Sequence, residues 1–188
     1  MSTNGNESLI TSYAQAPART VTTPGATYAY RELGPKGGIP VVFFVHLAAT
    51  LDNWDPRIVD AVARTRHVIA FDQRGVGAST GKVPGTIEEA ADHAYEFVTA
   101  LGFDRIDVFS FSMGGMIAQD LIVKHPQLVR RLVLTGTGPR GRSFGPSPLK
   151  VVEAFAAASA VSERTRSRRL FGARTSALGP KPRATKQA

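Results

Sequence analysis

Short apolar runs without polar alternation are spaced along this chain between stretches of helical period. Val41–Val45, Val68–Phe71, Ile106–Phe109 and Leu132–Leu134 are four such runs. Their length and their turn-residue borders predict strands, and their lack of alternation predicts strands covered on both faces of a parallel sheet. Val21–Leu33 has Thr-rich and Tyr-rich halves around Pro24-Gly25 and predicts a hairpin. The clearest helix is Thr86–Leu101. Thr86 can cap it, Glu88 and Glu89 suit its first turn, and Gly102 ends it. Ile87, Ala90, Ala91, Ala94, Phe97, Val98 and Leu101 recur along one face of that helix. Asp52–Ala63 and Gly114–Lys124 predict two further helices. Strands alternating with helices predict the α/β class, a mostly parallel sheet flanked by helices with right-handed crossovers.

The same pattern divides the chain. Residues 1–19 are polar and predict a disordered lead, and residues 20–148 form the α/β core. That core closes on a Gly/Pro-rich stretch from Gly136 to Pro148. Residues 149–161 are Ala-rich and suggest the first helix of a lid; residues 162–188 lose all period and predict a basic, disordered tail.

Charge changes this picture little. The formal net charge is +8, yet residues 162–188 alone hold eight Lys or Arg against one Glu. The remainder is close to neutral, so the basic balance belongs to a solvated tail and does not predict specific nucleic-acid binding. No stretch approaches the roughly 18 consecutive apolar residues of a membrane span, and no signal peptide is visible. The 188-residue chain has no cysteine. This excludes disulfides, Cys-ligated metal and a Cys nucleophile, and fits a cytoplasmic location.

The chemistry is concentrated in Val108-Phe109-Ser110-Phe111-Ser112-Met113-Gly114-Gly115-Met116. An apolar run ends on a serine-and-glycine turn, and a helix-compatible segment follows at once. That is the layout of a nucleophile elbow, in which a strand turns sharply into a helix and exposes one side chain at the tip. Ser112 would be that side chain. The stretch resembles the elbow of the α/β-hydrolase superfamily, in its serine-nucleophile branch. Three others agree with it in order. Val41–Leu47 is similar to the strand entering the family's His-Gly oxyanion loop. Asp72-Gln73-Arg74-Gly75-Val76-Gly77-Ala78-Ser79 is similar to its Asp-x-Arg-Gly-x-Gly-x-Ser turn. Leu128–Leu134 resembles the strand that follows the elbow helix. The resemblance covers roughly residues 20 to 160. Two positions depart from the pattern: Ser110 stands for the first glycine of Gly-x-Ser-x-Gly, and Leu47 for the glycine after His46.

The resemblance implies acyl transfer to water through a Ser112 acyl-enzyme. It implies oxyanion donors in the backbone N–H of Met113 and of Ala48, with Leu47 as the adjacent alternative. Serine at the elbow argues against the dehalogenase and epoxide-hydrolase branches, which need a carboxylate there. A serine hydroxyl also needs a base, oriented by a third group. The family order places the acid and then the histidine after the serine, but no histidine follows His125.

The residues themselves supply no substitute. His46 reads as a structural member of the oxyanion loop, His67 as a surface or edge residue at the end of the sheet away from the elbow, and His93 as a solvated helix residue beside Asp92 and Glu96. His125 would lie about 16–20 Å from Ser112 along the helix. Asp120, Glu153 and Glu163 are the acids after Ser112. No triad acid and no triad base is assigned.

Asp72 and Arg74 read as a hydrogen-bonded, salt-bridged turn. Gly75, Gly77 and Gly81 lack dinucleotide-loop spacing. Trp54 reads as packing, with Asn53 beside it. No metal cluster and no cofactor site is predicted.

The expectation is therefore a serine hydrolase acting on an ester, lactone or related acyl bond of a small molecule. Its last strands, with the acid and the histidine, are expected to be missing, through truncation or frameshift or in a natural short form, and its catalysis to be impaired. The rival is a non-catalytic protein: a remnant, a ligand-binding pseudo-enzyme, or a fragment needing a partner chain. An uncovered sheet edge would invite self-association.

Overall fold

The computed structural model describes residues 12–139. The expectations for residues 1–11, the lid helix at 149–161 and the tail at 162–188 lie outside the described residues. Among the described residues six strands form one sheet: β1 (Arg19–Thr22), β2 (Thr27–Leu33), β3 (Val41–Phe44), β4 (Val68–Phe71), β5 (Ile106–Phe111) and β6 (Val129–Thr135). Three helices connect them: α1 (Pro56–Ala63), α2 (Ile87–Ala100) and α3 (Met113–Lys124). The strand order is β1-β2-β4-β3-β5-β6. β1, β2 and β4 pair antiparallel, and β4, β3, β5 and β6 pair parallel.

The apolar runs are strands for the reason their composition suggests. Every residue of β3 and β4 is buried. Alternate side chains serve two different cores. Val42, Phe44, Ile69, Phe71, Ile106 and Val108 pack with the apolar faces of α2 and α3. Val41, Phe43, Val45, Val68 and Ala70 pack with Val59 and Ala63 of α1, and with Trp54. Phe97 of α2 is fully buried against Phe71, with ring centroids 4.3 Å apart, and also meets Tyr28 and Tyr30. Burial of a side chain of this size contributes about 1.5–3 kcal/mol. The caps of α2 follow the sequence. The Thr86 hydroxyl accepts from the Glu89 N–H at 3.0 Å, and Gly102 sits at φ 83° just past the helix.

Part of the expected disordered lead is structured. Ser12 caps a 3-10 turn at Tyr13–Gln15, and Tyr13 is only 1% exposed within the α1-side core. Asp52 begins no long helix. Leu51–Asn53 is a separate 3-10 turn, and α1 starts afresh at Pro56 under the Asp55 cap. Among the described residues β6 pairs only with β5, and Val133 and Leu134 are 47% and 45% exposed.

Candidate active site

β3, β4 and β5 are neighbours and run parallel, so the loops leaving their carboxyl ends gather at one edge of the sheet. In α/β sheets that edge is where ligands bind. The three loops are those singled out by sequence: His46 to Thr50 after β3, Asp72 to Ser79 after β4, and Ser112 after β5.

Ser112 is the one residue between β5 and α3. Its backbone stands at φ 53°, ψ −119°, a region that a residue with a side chain occupies only at a cost of order 1–3 kcal/mol. The surroundings fix it there. The Ser112 N–H donates to the Thr135 carbonyl on β6 at 3.0 Å, and its own carbonyl accepts from Gly115 at 2.9 Å. Two glycines permit the approach. A Cβ at Gly114 would strike the carbonyls of Phe44 and Val45, and one at Gly115 would strike the Thr137 side chain. The first turn of α3 therefore lies directly on the end of β3. Ser110 is wholly buried, and its hydroxyl donates to the Val133 carbonyl at 2.8 Å.

The loop after β3 contains the other strained position. Ala48 stands at φ 57°, and apart from Ser112 no non-glycine described residue has a positive φ. The loop is closed by the Ala49 N–H donating to the His46 carbonyl at 3.3 Å. Leu47, which replaces a glycine in the family pattern, is 68% exposed, so its side chain needs no space within the fold. His46 meets the Phe111 ring edge-on at 5.5 Å, and its Nδ1 is 3.0 Å from the Leu47 carbonyl. A cleft of about 510 Å³ joins these parts: His46, Leu47, Ala48 and Met113 line it, with apolar Val83 and Ile87. Met113 opens α3, where the leading N–H groups of a helix have no intrahelical acceptor.

The turn after β4 is a fixing element, as its residues suggest. Asp72 is buried and accepts from the N–H groups of Leu51 at 2.7 Å and Ala78 at 2.8 Å. Arg74 donates to the Gly25 carbonyl at 2.5 Å and pairs with Glu96 at 3.4 Å, tying the β1–β2 turn to α2. Trp54 packs edge-on against Phe43 and Phe109. Asn53 is occupied locally, accepting from the Thr50 N–H.

Two histidines differ from expectation. His67 lies at the amino end of β4, away from the elbow, but is 5% exposed and bonded to Glu32 at 2.8 Å. Burial works to raise the Glu32 pKa, and hydrogen bonds from Lys36 and His67 overcome it and hold the carboxyl low. His93 is half-buried, with its Nε2 4.0 Å from Glu89. It lines a small cavity with Phe44, Phe71 and Ile117, and its Nδ1 is buried without a hydrogen-bond partner among the described residues. Burial pushes its pKa down, and Arg74 adds to the effect. The reason is α2's packing against the sheet, which covers the flank of the helix as well as its apolar stripe. His125 ends α3 and stacks on Tyr95 with centroids 3.6 Å apart. Asp120 is buried within α3. Met113, Ala48 and His46 line one cleft, with Ser112 immediately before Met113 in the chain, and the other three histidines do not line it. No group of three or more His, Cys, Asp or Glu among the described residues could hold a metal ion. No described helix is long and apolar enough to cross a membrane.

A model of the alpha/beta hydrolase fold matches residues 39–171. An alpha/beta hydrolase fold protein from Chitinophaga pinensis superposes with a TM-score of 0.67 at 41% identity, over 68% of this chain and 46% of that one. Est816, an N-acyl homoserine lactone degrading enzyme, superposes with a TM-score of 0.57 at 32% identity, over 64% and 46%. The 2-hydroxymuconate semialdehyde hydrolase of Pseudomonas putida is 40% identical over 77 residues, which are 40% of this chain and 27% of that protein. The chain spans less than half the length of each of these relatives.

Proposed function

Because the chain belongs to the alpha/beta hydrolase fold family, we propose that it descends to acyl-transfer chemistry, hydrolysis of an ester, lactone or related acyl bond through Ser112. The observation that carries this reading is the backbone of Ser112, held at φ 53° between β5 and α3. A serine in an ordinary turn has no need of that conformation, whereas a nucleophile does, because it lifts the side chain clear of the sheet.

In the first step the Ser112 Oγ bonds to the acyl carbon, its proton passes to a base, and the alcohol leaves with a proton. Water then repeats the sequence on the acyl-enzyme. The oxyanion of each tetrahedral intermediate would accept from the N–H groups of Met113 and Ala48. The cleft's Leu47, Val83 and Ile87 favour an apolar acyl or alcohol part. Est816, which degrades N-acyl homoserine lactones, fits this class.

A second reading, binding without turnover, is favoured by the histidines: among the four, His46 alone borders the elbow. A fluorophosphonate label tests the first. It should attach to the wild type and to Ser110→Ala, and fail with Ser112→Ala. Equal labelling of wild type and Ser112→Ala removes Ser112 from the chemistry.

A further inference from the structure

We propose that Tyr13, at the far amino end of the described chain, is a positioning residue for the oxyanion loop. The inference rests on the reading of Ser112 and Ala48 given above. The loop His46–Thr50 is fixed at its start by β3, whose residues are all buried in the sheet centre. At its other end stands Leu51, and both of that residue's backbone groups are clamped by side chains distant in sequence. The Tyr13 hydroxyl donates to the Leu51 carbonyl at 2.6 Å, and the Asp72 carboxylate accepts from the Leu51 N–H at 2.7 Å.

The Tyr13 side chain is itself held on several sides. The Tyr13 N–H donates to Asp60 of α1 at 2.6 Å, and the Ser12 hydroxyl to the same carboxylate at 3.0 Å. The Arg31 guanidinium lies 5.5 Å from the centre of the Tyr13 ring and pairs with Asp52, the residue after Leu51. The hydroxyl thus belongs to a rigid strap across the α1 face.

What this clamp opposes is visible three residues earlier. Ala48 is held at φ 57°. Such a conformation persists only where the surroundings over-determine it. With the Leu51 carbonyl released and only its N–H still held by Asp72, Ala48 can relax toward negative φ, and its N–H then turns away from the place where the oxyanion forms. An oxyanion donor is useful only when fixed beforehand, so the effect falls on the reacting state and not on binding.

Tyr13→Phe keeps the ring and removes only the hydroxyl. With the full chain and a fluorophosphonate at varied concentration, the maximal labelling rate of Ser112 should fall about tenfold or more, with the roughly 10²–10³-fold cost of deleting an oxyanion donor as the upper bound. The concentration for half-maximal rate should stay within about twofold. Ser12→Ala, which loosens the strap but leaves the hydroxyl, should label at nearly the wild-type rate. Amide hydrogen exchange supplies a readout that needs no reactivity: in Tyr13→Phe, residues 46–51 should exchange faster while β5 and α2 stay protected. Unchanged exchange at 46–51 overturns the inference, as does faster exchange with an unaltered labelling rate. If the wild type does not label at all, Ser112 lacks an activating base, and the exchange result alone decides whether Tyr13 holds the loop.

Discussion

The Ser110 hydroxyl donates to the carbonyl of Val133 at 2.8 Å, joining β5 to β6 two residues before Ser112 of the elbow turn. The Thr135 hydroxyl returns a bond to the Ser110 carbonyl at 2.7 Å. A serine therefore fits a position where the family pattern has glycine, because its added hydroxyl has an acceptor waiting in the neighbouring strand. Ser110→Ala should cost about 0.5–1.5 kcal/mol, read as a melting point lowered by a few degrees, with Ser112 still labelled. A loss of labelling as complete as in Ser112→Ala would move the nucleophile's support, or the nucleophile itself, to Ser110.

Gly114→Ala tests the other side of the elbow. The new methyl group would meet the backbone carbonyls of Phe44 and Val45, and neither can swing aside as a side chain can. Overpacking of this kind costs about 1–3 kcal/mol. The expected result is a lower melting point together with loss of Ser112 labelling, because relief of the clash requires α3 to move away from β3. A variant that melts and labels like the wild type would show that the elbow tolerates more space than its geometry indicates.

Most of this fold was legible because its signals are local. β4 spans the same four residues as its apolar run, and α2 begins at the Thr86 cap and stops before Gly102. Ser112 was legible because a strand, a small-residue turn and a helix adjoin in the chain. The misread residues depend on partners far away. His67 is buried because Glu32, 35 positions upstream, meets it across β2 and β4. His93 is covered by the sheet beneath α2. Tyr13 sits in a short polar lead without period, and its acceptor is 38 residues on. The hint in the sequence is that Tyr13 is the one aromatic residue among residues 1–19.

Asp107 gives a pH prediction at the end of the sheet away from the site. Its carboxylate accepts from Arg130 at 2.7 and 2.9 Å and from Arg66 at 2.6 Å. The Arg130 hydrogen bonds, against the opposing effect of burial and with help from Arg66, hold its pKa below the ordinary 3.8. A carboxyl depressed on folding stabilises the protein fully above its unfolded pKa, and that contribution disappears as pH falls through the folded value. Asp107→Asn should therefore be less stable than wild type at pH 7, by about 1.5–3 kcal/mol for a hydrogen bond to a charged group. The gap should narrow only below pH 3.8. Denaturant melts at pH 7, 4 and 2.5 measure it; a gap constant across that range would show that the charge contributes nothing.

Self-association should follow from β6. Val133 and Leu134 are close to half exposed on a strand that pairs only with β5 among the described residues. Exposed apolar strand edges template pairing with another chain. Light scattering after size exclusion should find dimers or larger species, reduced by Val133→Lys. A single monomeric species over a wide concentration range would argue that the edge is covered.

The last prediction concerns rate. A serine hydrolase needs a base to take the Ser112 proton and to return it to the leaving group. His67 is bonded to Glu32 away from the elbow, His125 is stacked on Tyr95 at the end of α3, and His93 lines a separate small cavity under α2. His46 alone adjoins the elbow, and its Nδ1 lies against the Leu47 carbonyl of its own loop. Without a base, elbow and oxyanion donors can still leave a residual enhancement of about 10³–10⁴ over water. Turnover of p-nitrophenyl acetate by this chain should accordingly lie little above a Ser112→Ala control at pH 8. Ordinary enzymes reach about 1–10³ per second, and a rate in that range would show that a histidine does serve Ser112. His46→Ala would then be the first variant to make, because a base must reach the serine hydroxyl and only this ring already lies beside its neighbour Phe111.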